Sequence, residues 1–164
     1  NLSNPEAPDD VSEVINYISA MNYGLERQNE LPLSLRLIRE LHHRLMDGVR
    51  GNERNPGEFR RTQNWIGPTG STLRTARYVP PPVPEMLGAL DNLEKFIYEE
   101  NSGLPALVKI GLIHAQFETI HPFLDGNGRA GRLLITLLMC HYQLLSAPML
   151  YLSYFFKLHR SEYY

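Results

Sequence analysis

The sequence predicts an all-α fold: a helical domain built around one buried central helix and carrying a single small β-hairpin. Three observations carry that expectation. Apolar residues recur at helical spacing through most of the chain. Residues 128–145 are apolar nearly all round, the pattern of a helix enclosed on every side. Residues 49–82 break the helical period; Gly, Pro, Asn and Arg are frequent there, and Trp65-Ile66 and Arg77-Tyr78-Val79 read as short strand-like runs.

Taken in order, residues 1–9 are a lead-in with Pro5 and Pro8. Asp10 and Glu13 have the spacing of a capping box and open a helix to about Tyr23, with an apolar stripe of Val11, Val14, Ile15, Ile18 and Met21 and a stop at Gly24. A second helix spans about Pro32 to Asp47. Leu37, Ile38, Leu41 and Leu45 form its buried face, and Gly48 follows its end. His42 and His43 are adjacent and face different sides, so they make a poor metal pair and read as surface or packing residues.

Gly67-Pro68-Thr69-Gly70 turns the chain between the two strand-like runs, and pattern alone leaves both a hairpin and a mobile surface loop open. Pro80, Pro81, Pro82 and Pro84 close that region, Pro84 suiting the start of a helix. This helix carries Met86, Leu87, Leu90, Leu93, Phe96 and Ile97 and stops near Gly103. Residues 104–120 form the next, with Leu107, Ile110, Ile113, His114, Phe117 and Ile120 on one broad side; His114 reads as a hydrogen-bonded core histidine. Beyond the apolar helix come Pro148 and an aromatic tail of Tyr151, Tyr154, Phe155, Phe156, Tyr163 and Tyr164. Most of these read as core, and one or two suit an adenine-stacking pocket. No repeat or linker divides the chain, so residues 1–164 read as one domain.

Composition narrows the function. A chain of 164 residues is long enough for its own core. The net charge of −2 gives no electrostatic case for nucleic acid or an anionic membrane. The longest apolar stretch, Leu133 to Leu145, is too short for a membrane span. Cys140 is the one cysteine, so no internal disulfide forms, which suits a reducing, cytoplasmic compartment. The chain opens at Asn1 and stops at Tyr164, and it reads as a fragment with flanking regulatory or C-terminal domains elsewhere.

The chemistry concentrates at residues 121–132, His-Pro-Phe-Leu-Asp-Gly-Asn-Gly-Arg-Ala-Gly-Arg, a polar glycine-rich turn between two apolar helices. The pattern suits a nucleotide polyphosphate. Gly126 and Gly128 let the backbone approach a ligand, and the N–H groups that open the following helix favour an anion. Arg129 and Arg132, three apart, lean to one side of the first turn and match phosphate oxygens. Asp125 is a hard oxygen donor of the kind Mg²⁺ prefers beside phosphates. His121 accepts a proton near neutral pH without special tuning. Each residue alone has an ordinary structural explanation; their coincidence at this spacing points to a site.

The stretch resembles the signature of the Fic family, His-Pro-Phe-x-(Asp/Glu)-Gly-Asn-Gly-Arg-x-x-Arg, at every fixed position. The likeness extends to Pro56-Gly57-Glu58-Phe59-Arg60 and Gln63-Asn64-Trp65-Ile66-Gly67, and it covers the chain from about residue 10 onward. The resemblance implies a Fic-type helical domain whose hairpin, the flap at about 63–79, covers the site and aligns the target. It implies a protein adenylyltransferase that moves AMP from ATP to a Tyr, Thr or Ser hydroxyl of a target protein docked along the flap, releasing pyrophosphate. In that scheme His121 is the general base and Asp125 holds Mg²⁺ (or Mn²⁺). Gly126, Asn127 and Gly128 cradle the phosphates, Arg129 and Arg132 bind the β- and γ-phosphate region, Arg132 taking the γ-phosphate, and Phe123 anchors the loop in the core.

Other transferred groups stay open at this point, because proteins that resemble this one also move UMP, phosphocholine or phosphate. The phosphate-transferring Doc type has a lysine where Gly128 stands, which argues against that branch. A non-catalytic helical nucleotide-binding module is the non-enzymatic alternative, and the undamaged signature argues against it. Many Fic proteins carry an inhibitory helix, (Ser/Thr)-x-x-x-Glu-(Gly/Asn), whose glutamate pairs with the second motif arginine, here Arg132. The chain holds no such hexapeptide, so an upstream segment or a partner chain is expected to supply it and this stretch is expected to be deregulated. A homo-oligomer is compatible with the sequence; a membrane or nucleic-acid partner for this domain is not expected.

Overall fold

The computed structural model describes residues 7–99, 102–150 and 152–159. Its helices are α1 (Ala7–Arg27), α2 (Leu35–Leu45), α3 (Val83–Tyr98), α4 (Ala106–Ile120), α5 (Asn127–His141) and α6 (Leu152–Leu158). Helix α5 packs against α1, α2, α4 and α6, and α3 joins through α4, so α5 is the central helix the sequence predicts. Its Leu133, Leu134, Leu137 and Leu138 are buried among the other helices. The helix ends before the apolar run does. Gln143 turns left-handed (φ 56°), and the N–H groups of Gln143 and Leu144 donate back to the carbonyls of Cys140 and Met139, which is a Schellman closure.

Helix α1 departs most from expectation. It begins at Ala7 and runs through Gly24, so neither the expected start at Asp10 nor the stop at Gly24 operates; the side chains of residues 7–10 lie outside the described residues, as does Pro5. Its buried face is Tyr17, Ala20 and Met21, while Val11, Val14, Ile15 and Ile18 point outward, Ile15 at 59% exposure. Close approach explains the choice. A Cβ at Gly24 would stand 3.0 Å from side-chain atoms of Leu41 and Leu137. The helix therefore docks on α2 and α5 through the face on which Ala20 and Gly24 permit close approach, rather than through its most apolar one.

The other helices follow their patterns more closely. The Ser34 hydroxyl accepts the Leu37 N–H at the start of α2. Leu37, Ile38, Leu41 and Leu45 are buried as expected, and Gly48 (φ 63°) follows the helix end. Met86, Leu90, Leu93 and Ile97 bury one face of α3, and Ile110, Ile113, Phe117 and Ile120 one face of α4; Leu87 and Leu107 are exposed instead. Lys109 is buried because its ammonium donates to the carbonyls of Ile97 (3.2 Å) and Glu99 (2.6 Å), closing the C-terminus of α3. In the tail, Tyr154 and Phe155 are exposed rather than core; Tyr151, Tyr163 and Tyr164 lie outside the described residues.

The expected hairpin over 63–79 is a correction. Among the described residues no strand forms, and the region holds one isolated antiparallel bridge, Ile66 to Tyr78. Between them the chain makes successive turns, with Ser71 N–H donating to Pro68 O and Thr75 N–H to Thr72 O. Those turns, with the prolines from Pro80 onward, leave too few free N–H groups in extended backbone for a ladder. Among the described residues no helix is long and apolar enough to cross a membrane.

Candidate functional site

The site is the six-residue bend that joins α4 to α5, residues 121–126. His121 is the C-cap of α4 and lies in the left-handed region (φ 49°, ψ 61°), where a residue with a side chain is disfavoured by roughly 1–2 kcal/mol. Side chains from a distant part of the chain hold it there. Arg60 Nε donates to the His121 carbonyl at 3.1 Å, and Asn64 Nδ2 donates to the same oxygen at 3.4 Å and to the Phe123 carbonyl at 2.9 Å. The Arg60 N–H donates to the Pro122 carbonyl at 2.8 Å. Arg60 is buried, and its guanidinium also donates to the carbonyls of Thr62 and Pro81. A buried cation surrounded by carbonyl oxygens thus pins the backbone of the bend.

The floor of the bend is equally fixed. Phe123 is buried and stacks on the His42 ring, with centroids 3.7 Å apart and planes 3° apart. His42 Nε2–H donates to the Asp125 carbonyl at 2.9 Å, and the Gly57 N–H donates to His42 Nδ1 at 2.9 Å. Burial pushes the His42 pKa down to about 4, so the ring is neutral and its two nitrogens serve one as donor and one as acceptor. Asn127 is 2% exposed; its Oδ1 accepts the Phe123 N–H and its Nδ2 donates to the Phe123 carbonyl, both at 2.8 Å. The Asn127 side chain, expected in the phosphate cradle, braces the backbone of the bend at Phe123 here. Gly126 is the N-cap of α5 with φ 76°, and a Cβ there would meet Met46 Sδ at 2.5 Å and His42 Nε2 at 2.9 Å. Both the conformation and the space require glycine.

The charged groups divide between two sides. Asp125 accepts the Gly126 N–H through Oδ1 at 2.6 Å and remains partly exposed. A Cβ at Gly51 would lie 2.9 Å from its Oδ2, so glycine keeps that oxygen uncovered. Arg129 donates to Glu13 of α1 and to the Arg50 carbonyl, each at 3.1 Å, and stands 3.9 Å from Asp125. Arg132 instead donates to the Ser153 hydroxyl of α6 at 3.0 Å and folds over Gly128, where its Nη1 comes within 2.9 Å of the position a Cβ would take. The two arginines therefore have different partners: Arg129 ties the first turn of α5 to α1, and Arg132 lies at the open N-terminus of α5.

His121 completes the arrangement. Burial pushes its pKa down to about 4, with the nearby Arg60 adding to the effect and the Glu118 main-chain carbonyl and Asp125 opposing it. At neutral pH the imidazole is uncharged and holds a free lone pair, as a general base must. The structure thus brings together His121, Asp125, Gly126, Gly128 and Arg132 around one end of α5. Sequence reasoning gives no site role to Arg60, Asn64, His42, Glu13 or Glu118. Pattern could not have found the first two, because a loop residue carries no periodicity that marks it as buried. His42 sits on the buried face of α2 beside Leu41 and Leu45, and that was an available signal.

Residues 32–139 match the model of the Fic/DOC family. Over 134 residues, 80% of this chain, the sequence is 35% identical to protein adenylyltransferase Fic of Drosophila grimshawi and 34% identical to that of Drosophila virilis. The matched regions are 26% and 25% of those proteins, so the chain spans about a quarter of the length of the curated relatives it matches. Among solved structures, a Fic family protein from Desulfovibrio desulfuricans superposes with a TM-score of 0.67 at 26% identity, covering 87% of this chain and 40% of that one. A Fic domain containing signaling protein from Bacteroides thetaiotaomicron also gives 0.67, at 24% identity, covering 82% of this chain and 49% of that one; at that identity the likeness concerns the fold alone.

Proposed function

This chain belongs to the Fic/DOC family, and from that membership we propose that it transfers AMP from ATP to a hydroxyl side chain of a target protein, with release of pyrophosphate. The observation that carries the reading is the pairing of an uncharged, loop-locked His121 with the open N-terminus of α5 and Arg132. The first is a base; the second is a phosphate seat.

The geometry supports a short sequence of events. The N–H groups opening α5 and the Arg132 guanidinium receive the phosphates, whose charge the helix end favours. His121 removes the proton of the attacking hydroxyl as its oxygen bonds to the α-phosphorus and the bond to pyrophosphate breaks. Positioning and charge stabilisation supply most of the rate in such transfers. Arg129 contributes indirectly, by holding the bend against α1 through Glu13. Among the described residues no group of three or more His, Cys, Asp or Glu gathers to hold a metal. The donor set at the bend is the one carboxylate of Asp125 with its uncovered Oδ2. Asp125 would hold Mg²⁺ or Mn²⁺ beside the phosphates, and the ion would supply charge neutralisation there.

The target fits along the segment around the Ile66–Tyr78 bridge, where Trp65 and Tyr78 are exposed and Ile66 and Tyr78 already present extended backbone. Arg132 is held by a hydroxyl rather than by a carboxylate, which leaves it available to a glutamate supplied from elsewhere, as the family's inhibitory helix would do. The test incubates the chain with ATP labelled at the α- or the γ-phosphate, a divalent cation and candidate protein targets. Label retained on protein from the α-position alone supports AMP transfer. Label retained from the γ-position assigns a kinase instead, and label from neither turns the reading to transfer of UMP or phosphocholine, or to a nucleotide-binding module.

A further inference from the structure

Glu118 lies three residues before His121 on α4, and its Oε2 is 4.0 Å from His121 Nδ1. Both side chains are largely buried, at 25% and 18% exposure. Glu118 Oε1 and His121 Nδ1 are buried atoms that make no hydrogen bond of good geometry, the Glu118 main-chain carbonyl being the one acceptor that acts on the ring. Leaving buried polar atoms so poorly paired is costly, and native proteins rarely do so without a purpose. Helix α5 closes over the carboxylate. A Cβ at Gly131 would fall 2.5 Å from Glu118 Oε1 and 3.1 Å from His114 Cε1, so only glycine leaves the carboxylate its place. The charged and titratable groups facing this pair are Arg132 from α5, His114 from α4, and Arg60 and Asp125 on the His121 side.

We propose that Glu118 is the positioning residue of this site: it accepts a hydrogen bond from His121 Nδ1–H, fixes that tautomer, and turns the Nε2 lone pair toward the attacking hydroxyl. This rests on His121 being the base. The gap of 4.0 Å closes by a small side-chain rotation, as catalytic hydrogen bonds commonly do once substrate is bound. In the transfer the hydroxyl proton moves to Nε2 and the new oxygen–phosphorus bond forms. The bond to pyrophosphate breaks with its electron pair on the leaving group. Glu118 keeps its charge throughout and faces the imidazolium. Burial raises the Glu118 pKa to about 7 against the opposing charge of Arg132, so its ionisation rather than that of His121 is expected to set the acid limb of activity. The Glu118 main-chain carbonyl is a second acceptor on the same side of the ring, and the test has to separate it from the carboxylate.

Glu118→Gln makes that separation, because it keeps the shape and the main chain but removes the charge. The expected result is a fall of at least tenfold in kcat with little change in the KM for ATP, and loss of the acid limb near pH 7. Glu118→Asp keeps the charge and withdraws it by one methylene; it should lose kcat while retaining the limb, and it serves if the Gln variant does not fold. An activity-independent readout uses ¹⁵N-histidine-labelled protein, with His121 assigned by its absence in His121→Ala. Wild type should show the Nδ1–H tautomer and a step near pH 7 in the ring resonances, and the step should vanish in Glu118→Gln. Wild-type kcat, profile and ring spectra in Glu118→Gln would overturn the proposal while leaving AMP transfer intact. If the chain transfers no AMP at all, the ring spectra still decide whether the carboxylate holds the ring.

Discussion

Two irregular stretches of the chain, the bend at 121–126 and the segment at 63–79, are built in opposite ways. The bend at 121–126 is short, and side chains reach much of its backbone: Arg60 and Asn64 the His121 carbonyl, Asn64 and Asn127 the Phe123 carbonyl, Asn127 the Phe123 N–H, and His42 the Asp125 carbonyl. The segment at 63–79 is longer and is anchored near its ends. Gln63 donates to the Pro80 carbonyl, Ile66 pairs with Tyr78, and the Tyr78 hydroxyl donates to the Thr119 carbonyl. Between those anchors the chain bonds chiefly to itself, through short turns and the Trp65 ring N–H on the Ser71 carbonyl. The difference teaches where rigidity comes from in irregular backbone. In the bend it comes from side chains, most of them distant in the sequence, that accept from or donate to the main chain. On the proposed reading, a bend holding a base must keep its geometry, and a segment that meets a target gains from freedom between fixed ends.

The largest expected effect that sharpens this contrast is chemical. His121→Ala should lower transfer by about a thousandfold, within the usual range for removing a general base, while ATP affinity changes by less than about threefold. Turnover with isotopically labelled ATP and a separate binding titration check both halves. Near-normal turnover would mean the locked bend serves another purpose.

Next comes the lock itself. Arg60→Met should destabilise the fold by roughly 3 kcal/mol, because several buried carbonyls lose their donor at once. Chemical denaturation measures it. Arg61→Met, one residue on and exposed, should change stability by less than about 0.5 kcal/mol. Equal effects would show that the bend does not depend on the buried guanidinium.

Acid should loosen the bend in a defined window. Burial lowers the pKa of His42 and His121 to about 4 and also lowers that of His114, all from an ordinary value of 6.5. Between pH 6.5 and about 4 the unfolded chain therefore binds protons that the folded chain refuses, and stability falls as pH falls. Glu118 acts in the opposite sense, since burial raises its pKa to about 7 and the folded state then holds a proton the unfolded state releases above about 4.5. Three histidines outweigh one carboxylate, so the net loss by pH 4.5 is roughly 2–3 kcal/mol. Urea midpoints across that range check it, and a stability that rises toward pH 4.5 would contradict the assignment.

The smallest effect on stability belongs to the outer segment. Deleting Pro68 to Thr72 should change the unfolding free energy by less than about 1 kcal/mol, because those residues are bonded mostly to one another. Transfer to a protein target should nevertheless fall at least tenfold, with nucleotide binding kept. A parallel loss of nucleotide binding would make the segment a lid rather than a docking edge.

Most of the helices were legible in the sequence, and the reason is periodicity. The stripes of α2, α3 and α4 and the all-round apolar character of α5 report burial directly, since a helix repeats its contacts every turn. The motif likewise named its glycines, arginines, histidine and carboxylate, because their types and spacing are local. Tertiary structure alone decided three matters. It chose which apolar face of α1 is buried, setting Tyr17, Ala20 and Met21 against the core and leaving Ile15 and Ile18 outside, because closeness of approach at Gly24 outweighed hydrophobicity. It reduced the hairpin to a single bridge, because turns and prolines leave no ladder to extend. And it gave the motif residues their distant partners: Arg129 to Glu13, Arg132 to Ser153, His121 to Arg60 and Asn64. Those partners come from segments as far as 116 positions apart in the chain. Sequence spacing specifies which groups can meet within a turn or two, and only the packed fold specifies which distant ones do.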